Sequence, residues 1–233
     1  MILKNGFVIA IDGPAASGKG TISPLLAQKL HVHYIDTGIF FRCIALYCLQ
    51  KNIDISDAWK VSSILSQIHI GFSESQKVTL NRKDVTTDIR SVQVSAGSSK
   101  VAVIDEVLHK MVLFFQEMCT NYLKNGKTVV IEGRNIGSAV VPDANIKIFL
   151  TADLLTRAKR RMKQWQAKGI RNISLEKIIK DTQERDKRDS ERETFPLVKN
   201  PKEMGYFILD NSKLSEEETM EKIIAEIKRR KLI

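Results

Sequence analysis

The stretch Gly13-Pro14-Ala15-Ala16-Ser17-Gly18-Lys19-Gly20-Thr21 constrains this chain more than any other. It stands between an apolar run, Phe7 to Asp12, and an amphipathic run, Ile22 to Leu30, so the order is strand, glycine-rich loop, helix. The spacing G-x-x-x-x-G-K is that of a phosphate loop, whose backbone N–H groups close round phosphate oxygens at a helix N-terminus. Lys19 adds a mobile positive charge for the outer phosphates. The ligand of such a loop is a nucleoside triphosphate, which makes Gly13, Pro14, Ala15, Ala16, Ser17, Gly18, Lys19, Gly20 and Thr21 the candidate donor-binding residues. One position departs from the general form: Gly20 follows the lysine where Ser or Thr is usual, and Thr21 comes one residue later.

The rest of the chain repeats the alternation of strand and helix. Val32 to Asp36, Thr128 to Glu132, Ile146 to Leu150 and Tyr206 to Asp210 read as further strands. Thr128 to Glu132 is too continuously apolar for an edge and is expected to be central and parallel. Helical spacing is expected over 39–50, 56–67, 101–124, 153–168, 174–193 and 215–231, the fifth capped by Ser174. Ile68 to Phe72 instead alternates like a strand, and Val78 to Leu80 with Lys83 to Val85 about the turn Asn81-Arg82 resemble a hairpin, the one antiparallel section. These elements predict an α/β fold: a five-stranded parallel doubly wound sheet of the phosphate-loop class, with a β-rich insertion and a helical lid. The whole is a single domain, with residues 1–67 and 91–233 as core, 68–90 as insertion and about 157–195 as lid.

The chain carries 37 Lys+Arg against 27 Asp+Glu, a net +10, and residues 157–199 alone hold a surplus of +7. A basic excess fits either a polyanion or a phosphorylated small molecule. No aromatic platform for stacked bases interleaves the basic helix, so nucleotide phosphates are the simpler partner and nucleic acid is not expected. No apolar run approaches the roughly 20 residues that cross a bilayer. Met1 to Gly6 leads into the first strand without a secretory signal, which points to the cytoplasm. Cys43, Cys48 and Cys119 are odd in number, lack C-x-x-C spacing and read as reduced core residues.

In a doubly wound sheet, ligands sit at the C-terminal ends of the strands. The phosphate loop, Asp36-Thr37-Gly38 and Glu132-Gly133-Arg134-Asn135 all fall there. Asp36 and Glu132 are candidate holders of Mg2+ or of its waters. Arg42 and Arg134 suit a substrate phosphate, because a guanidinium binds two oxygens in one plane. Arg185, Arg188, Asp189 and Arg192 recur at helical spacing and are expected to share a face that closes over the triphosphate and excludes water. No His or Cys nucleophile stands beside the loop, so transfer is expected to be direct and in-line. A GTPase is excluded by the lack of an Asn-Lys-x-Asp run.

Asp12-Gly13-Pro14-Ala15-Ala16-Ser17-Gly18-Lys19-Gly20-Thr21, Asp36-Thr37-Gly38 with Arg42, Glu132-Gly133-Arg134-Asn135-Ile136-Gly137, Val141-Pro142-Asp143-Ala144 and Arg185-Asp186-Lys187-Arg188-Asp189 together resemble the bacterial cytidylate kinases. The resemblance keeps these motifs in order over nearly the whole chain and includes the β-rich insertion. It implies ATP as donor, Mg2+ as cofactor, and CMP with dCMP as acceptors, in a protein expected to be monomeric. It also implies that Thr37, Arg42, Arg134 and Arg185 hold the acceptor phosphate, that Asp189 takes the sugar hydroxyls with Arg188 and Arg192 nearby, and that Ser99 touches the base. Lys19, Arg134, Arg185 and Arg188 are the catalytic candidates, and the insertion is the acceptor-binding part. Three departures concern the acceptor side. Phe41 stands where the family commonly has Tyr, Leu108-His109 where it has a base-reading Arg, and Asn135 where it has Asp. An Asn can still accept from the cytosine amino group, but without full charge.

Overall fold

A computed structural model describes residues 6–72, 77–167, 169–170 and 172–233. Met1 to Asn5 and Lys168, the expected end of the basic helix, lie outside the described residues. The chain divides into two compact units, Met1–Asp36 with Phe115–Ile233, and Thr37–Phe114.

The larger unit is built on five parallel strands: β1 (Val8–Asp12), β2 (His33–Asp36), β6 (Val129–Glu132), β7 (Ile146–Thr151) and β8 (Phe207–Asp210), in the order β2-β6-β1-β7-β8. This is the doubly wound α/β architecture expected from the alternation. Every residue of β1 and of β6 is buried, as their continuously apolar sequences require of central strands. β7 alternates buried and half-buried residues, with Ile146, Ile148 and Leu150 inward. Helices α1 (Lys19–Leu30) and α8 (Glu216–Arg229) contribute Ile22, Leu26, Ile223 and Ile227 to a core with Ile9, Ile11, Val130, Ile148 and Leu209. Each of these large side chains contributes roughly 1.5–3 kcal/mol by leaving water. Ser215 and Glu218 close a reciprocal capping box at the start of α8, whose first turn is acidic and whose last turn is basic. The expected basic helices are α6 (Leu154–Ala167) and α7 (Leu175–Glu191), the latter capped by the Ser174 side chain.

The smaller unit holds α2 (Gly38–Gln50), α3 (Ala58–Ser63), a 3-10 turn at Leu65–Gln67, and the antiparallel strands β3 (Ile70–Phe72), β4 (Val78–Leu80) and β5 (Lys83–Asp84). After a second 3-10 turn, Asp88–Arg90, come α4 (Val92–Val101) and the start of α5 (Asp105–Lys124). The helix expected from residue 101 instead begins at Asp105, whose carboxylate with that of Glu106 favours a helix start over continuation from α4. Val103 falls in the break and is exposed; Val107, Leu108, Met111, Phe115 and Cys119 form the inward side. Cys43, Cys48 and Cys119 are free and buried, and burial pushes the thiols of Cys43 and Cys119 up to about 12.

Candidate active site

The buried strand β1 delivers the chain into the phosphate loop, and the loop closes only because of its glycines. At Gly13 φ is +152°, and a Cβ there would come 2.0 Å from Leu150 O. Gly18 opens α1 with φ of +100°, a conformation that costs a side-chain-bearing residue energy. Its carbonyl accepts from Thr21 N–H at 3.0 Å and Ile22 N–H at 2.9 Å. Lys19 is buried and folds over the loop: Nζ donates to Gly13 O at 2.7 Å, Pro14 O at 2.8 Å and Ser17 Oγ at 3.3 Å. Burial, then the Arg134 charge, hold its ammonium well below the usual lysine range, against the pull of Glu132 and Asp12.

The loop is also held by residues distant in sequence. Asn211 Nδ2 donates to Ser17 O at 3.1 Å, and Arg160 Nη1 donates to Asn211 Oδ1 at 2.9 Å. Arg157, itself buried, donates from Nη1 to Ala15 O at 3.0 Å and to Asp186 Oδ2 at 2.5 Å. Asp186 Oδ1 in turn accepts the Ala15 N–H at 3.2 Å.

Beneath the loop lies Asp12, with no solvent exposure. Its carboxylate accepts from Ile136 N–H at 2.7 Å, Gly137 N–H at 2.8 Å and the Tyr206 hydroxyl at 2.7 Å. Burial pushes its carboxyl up, outweighing these hydrogen bonds and the Lys19 charge. One side chain thus fixes the start of the phosphate loop to the turn that follows Arg134 and Asn135, and both to the residue preceding β8.

Strand register pairs Asp36 with Glu132 at the ends of β2 and β6. A Cβ added at Gly20 would lie 3.7 Å from Glu132 Oε1, so that carboxylate faces the start of α1. Burial, then the Asp36 charge, raise the Glu132 carboxyl to about 7, and the Tyr34 hydroxyl donates to its Oε1. No group of three potential metal ligands occurs among the described residues. Mg2+ binds through one or two carboxylates together with phosphates and waters, so two adjacent carboxylates beside a phosphate loop fit it. Burial and the Asp36 charge both disfavour the ionised Glu132, and a divalent cation would offset both.

On the far side, Arg134 Nε donates to Asp189 Oδ2 at 2.8 Å. Burial works to raise the Asp189 carboxyl, but Arg134 and Arg185 outweigh it and hold the group below its ordinary range. Arg134 is carried above its own range by the same carboxylate, despite burial. Asn135, also buried, donates from Nδ2 to Phe195 O at 3.0 Å, and Arg192 Nε donates to the same carbonyl at 2.8 Å. Burial lowers Arg192 to about 10. Ile178, Thr182 and Asp189 are the buried residues of α7, with Arg185 half-buried. Arg188 is exposed, one residue off this inward face.

The remaining candidates belong to the smaller unit. Thr37 is buried at the start of α2, where its carbonyl accepts from Phe40 N–H at 3.2 Å. Arg42 and Phe41 are half-buried one turn on, Phe41 edge-to-face with Phe40. Ser99 is half-buried on α4 and donates to Ala96 O at 2.9 Å. Leu108, an apolar side chain with no donor, is wholly buried; His109 is exposed on α5, with Nδ1 2.9 Å from Asp105 O.

Asp12, Arg157, Asp186, Tyr206 and Asn211 carry much of this geometry although the sequence reading assigned them no role. Asp12 was signalled as a carboxylate ending an apolar strand. Tyr206 and Asn211 act across 194 residues, a pairing that no local pattern reports.

The family model for cytidylate kinase matches residues 9–229. The chain is 38% identical to the cytidylate kinase of Onion yellows phytoplasma (strain OY-M) over 225 residues, 97% of each chain. It is also 38% identical to that of Limosilactobacillus reuteri (strain DSM 20016) over 227 residues, 96% of each chain. Among solved structures, an uncharacterized protein from Eubacterium ventriosum ATCC 27560 shares the fold with a TM-score of 0.55 at 13% identity, covering 95% of this chain and 98% of that one. An unliganded sugar kinase from Janibacter sp. HTCC2649 does so with a TM-score of 0.50 at 10% identity, covering 96% and 95%.

Proposed function

The chain belongs to the cytidylate kinase family, phosphotransferases acting on nucleoside monophosphates, and on that premise we propose that it transfers the γ-phosphoryl group of ATP to CMP and dCMP, giving ADP with CDP or dCDP. The observation that carries this reading is the clamp between Arg134 and Asp189 beside the phosphate loop. It sets a phosphate-binding fork and a hydroxyl-binding carboxylate next to each other, as a nucleoside monophosphate requires.

Transfer is direct and in-line, a reading supported by the lack of any His or Cys within the loop sequence Gly13 to Thr21. The loop amides receive the donor phosphates. Lys19 leaves the carbonyls of Gly13 and Pro14 for the outer phosphate oxygens, and its weakened hydration in burial favours that exchange. Arg134 and Arg185 hold the acceptor phosphate and offset the charge that spreads over the transferred group. Thr37, Phe41, Arg42, Ser99 and Asn135 are assigned to acceptor binding by family resemblance, and Asp189 with Arg192 to its sugar. Asp36 and Glu132 would hold Mg2+, directly or through water, and the ion when bound would supply neutralisation of phosphate charge. The β-rich stretch 68–90 acts as the acceptor-binding insertion, and the α6–α7 region closes as a lid that keeps water from the donor. No described helix is long and apolar enough to cross a membrane, and a monomer working in the cytoplasm fits an enzyme of two small soluble substrates.

A coupled assay of ADP release with CMP, dCMP, UMP and AMP tests this. CMP is expected to give the highest kcat/KM; a higher value for UMP or AMP overturns the acceptor assignment.

A further inference from the structure

Asp186 is an acidic residue inside the most basic helix region of the chain, and it is aimed at the phosphate loop. Its Oδ1 accepts the Ala15 N–H at 3.2 Å. Its Oδ2 accepts from Arg157 Nη1 at 2.5 Å, and that same nitrogen donates to Ala15 O at 3.0 Å. Ala15 is therefore held on both its N–H and its carbonyl by an ion pair reaching in from α6 and α7. The Arg157 side chain is 9% exposed and that of Asp186 22%, so the pair is sheltered and its charges are only partly screened.

We propose that Asp186 is an internal anion that competes with the donor phosphates for the phosphate loop, and so a residue that tunes donor affinity. A loop of this kind binds anions through N–H groups such as that of Ala15. A carboxylate oxygen on that donor does what a phosphate oxygen would do, and one N–H does not serve both fully. Asp186 also neutralises Arg157, the cation lodged against the loop. Both effects weaken the attraction of the loop for a triphosphate, so they act with the same sign. Asp186 sits on α7 between Arg185 and Asp189, and Asp189 is clamped to Arg134. The donor that displaces Asp186 thus acts directly on the helix carrying the acceptor-side charges.

The inference rests on reading Gly13 to Thr21 as the donor loop, and the test separates the two. Isothermal titration of the full chain with ATP, without acceptor, is carried out for wild type, Asp186→Asn and Asp186→Glu, with circular dichroism confirming each fold. Asn keeps the shape and an acceptor oxygen but loses the charge; Glu keeps the charge. Asp186→Asn is expected to bind ATP roughly three- to tenfold tighter, the size of one partly screened charge contact, with Asp186→Glu within about twofold of wild type. Inorganic pyrophosphate is expected to follow the same order. Unchanged or weaker binding by Asp186→Asn overturns the competitor role while leaving the donor loop standing. Failure of all three to bind ATP overturns the donor-loop reading and this inference with it.

Discussion

Asp189 holds Arg134 in place: the guanidinium Nε donates to Oδ2 at 2.8 Å, joining the loop after β6 to the inward face of α7. The Asp189 side chain is 7% exposed and that of Arg134 20%, so neither charge is free to be solvated if its partner is lost. Asp189→Ala is expected to cost about 3–5 kcal/mol of stability, the penalty for stranding one member of a sheltered pair. It is also expected to lower kcat/KM by about 100-fold or more, because Arg134 then loses its orientation toward the transferred group. Urea unfolding and steady-state kinetics check the two halves; a variant with wild-type kcat/KM would remove Arg134 and Asp189 from the site.

The Asp12 carboxylate makes a second, graded prediction. It receives two backbone N–H groups and one hydroxyl in a fully buried position. Asp12→Ala strands all three donors, each worth about 1–3 kcal/mol when unsatisfied, so a loss of 3 kcal/mol or more is expected. Tyr206→Phe removes one donor together with its need for a partner and is expected to cost about 1 kcal/mol. Urea midpoints in the order wild type, Tyr206→Phe, Asp12→Ala check it.

Lys19→Ala is expected to reduce turnover by at least about 1,000-fold, since phosphoryl transfer relies almost wholly on positioned charge. The fold is expected to persist, because Lys19 Nζ bonds only to its own loop among the described contacts. ADP release in the coupled assay and the circular dichroism spectrum decide this together; near-normal turnover would sink the mechanism.

The five strands and the phosphate loop were legible in the sequence because each is specified locally. β1 and β6 are continuous apolar runs, and Gly13 to Thr21 carries its glycines at fixed spacing. α7 was legible through Ser174 and its charge spacing, but the inward face was assigned one residue too broadly. Arg188 shares the helical period of Arg185 and Arg192, and only packing distinguishes the exposed neighbour from buried Asp189. The break between α4 and α5 was hidden because Val103 continued an apolar stripe through it. The straps on the phosphate loop were illegible for a different reason. Asn211 on Ser17 and Asp186 on Ala15 are contacts made by tertiary folding, and an Asn or Asp in isolation reads as a turn residue or a solvated charge.

Glu132 gives the pH-dependent prediction. Its carboxyl is raised from the ordinary 4.5 to about 7 by burial and by Asp36, while the Tyr34 hydroxyl works to lower it. Below pH 4.5 it is protonated in both folded and unfolded chains and contributes no pH dependence. Between 4.5 and about 7 the unfolded chain is ionised and the folded chain is not, so unfolding releases a proton and stability falls as pH rises. Above that window both states are ionised and the contribution levels off at its lowest. The stability of metal-free wild type minus that of Glu132→Gln is therefore expected to fall across this window and be flat on either side, measured by urea unfolding at stepped pH. Tyr34→Phe removes a hydrogen bond that favours the ionised form, which is expected to move the upper end of the window to higher pH. A difference that rises with pH would mean that Glu132 is held ionised in the folded chain, and that burial together with the Asp36 charge at the ends of β2 and β6 does not govern its protonation.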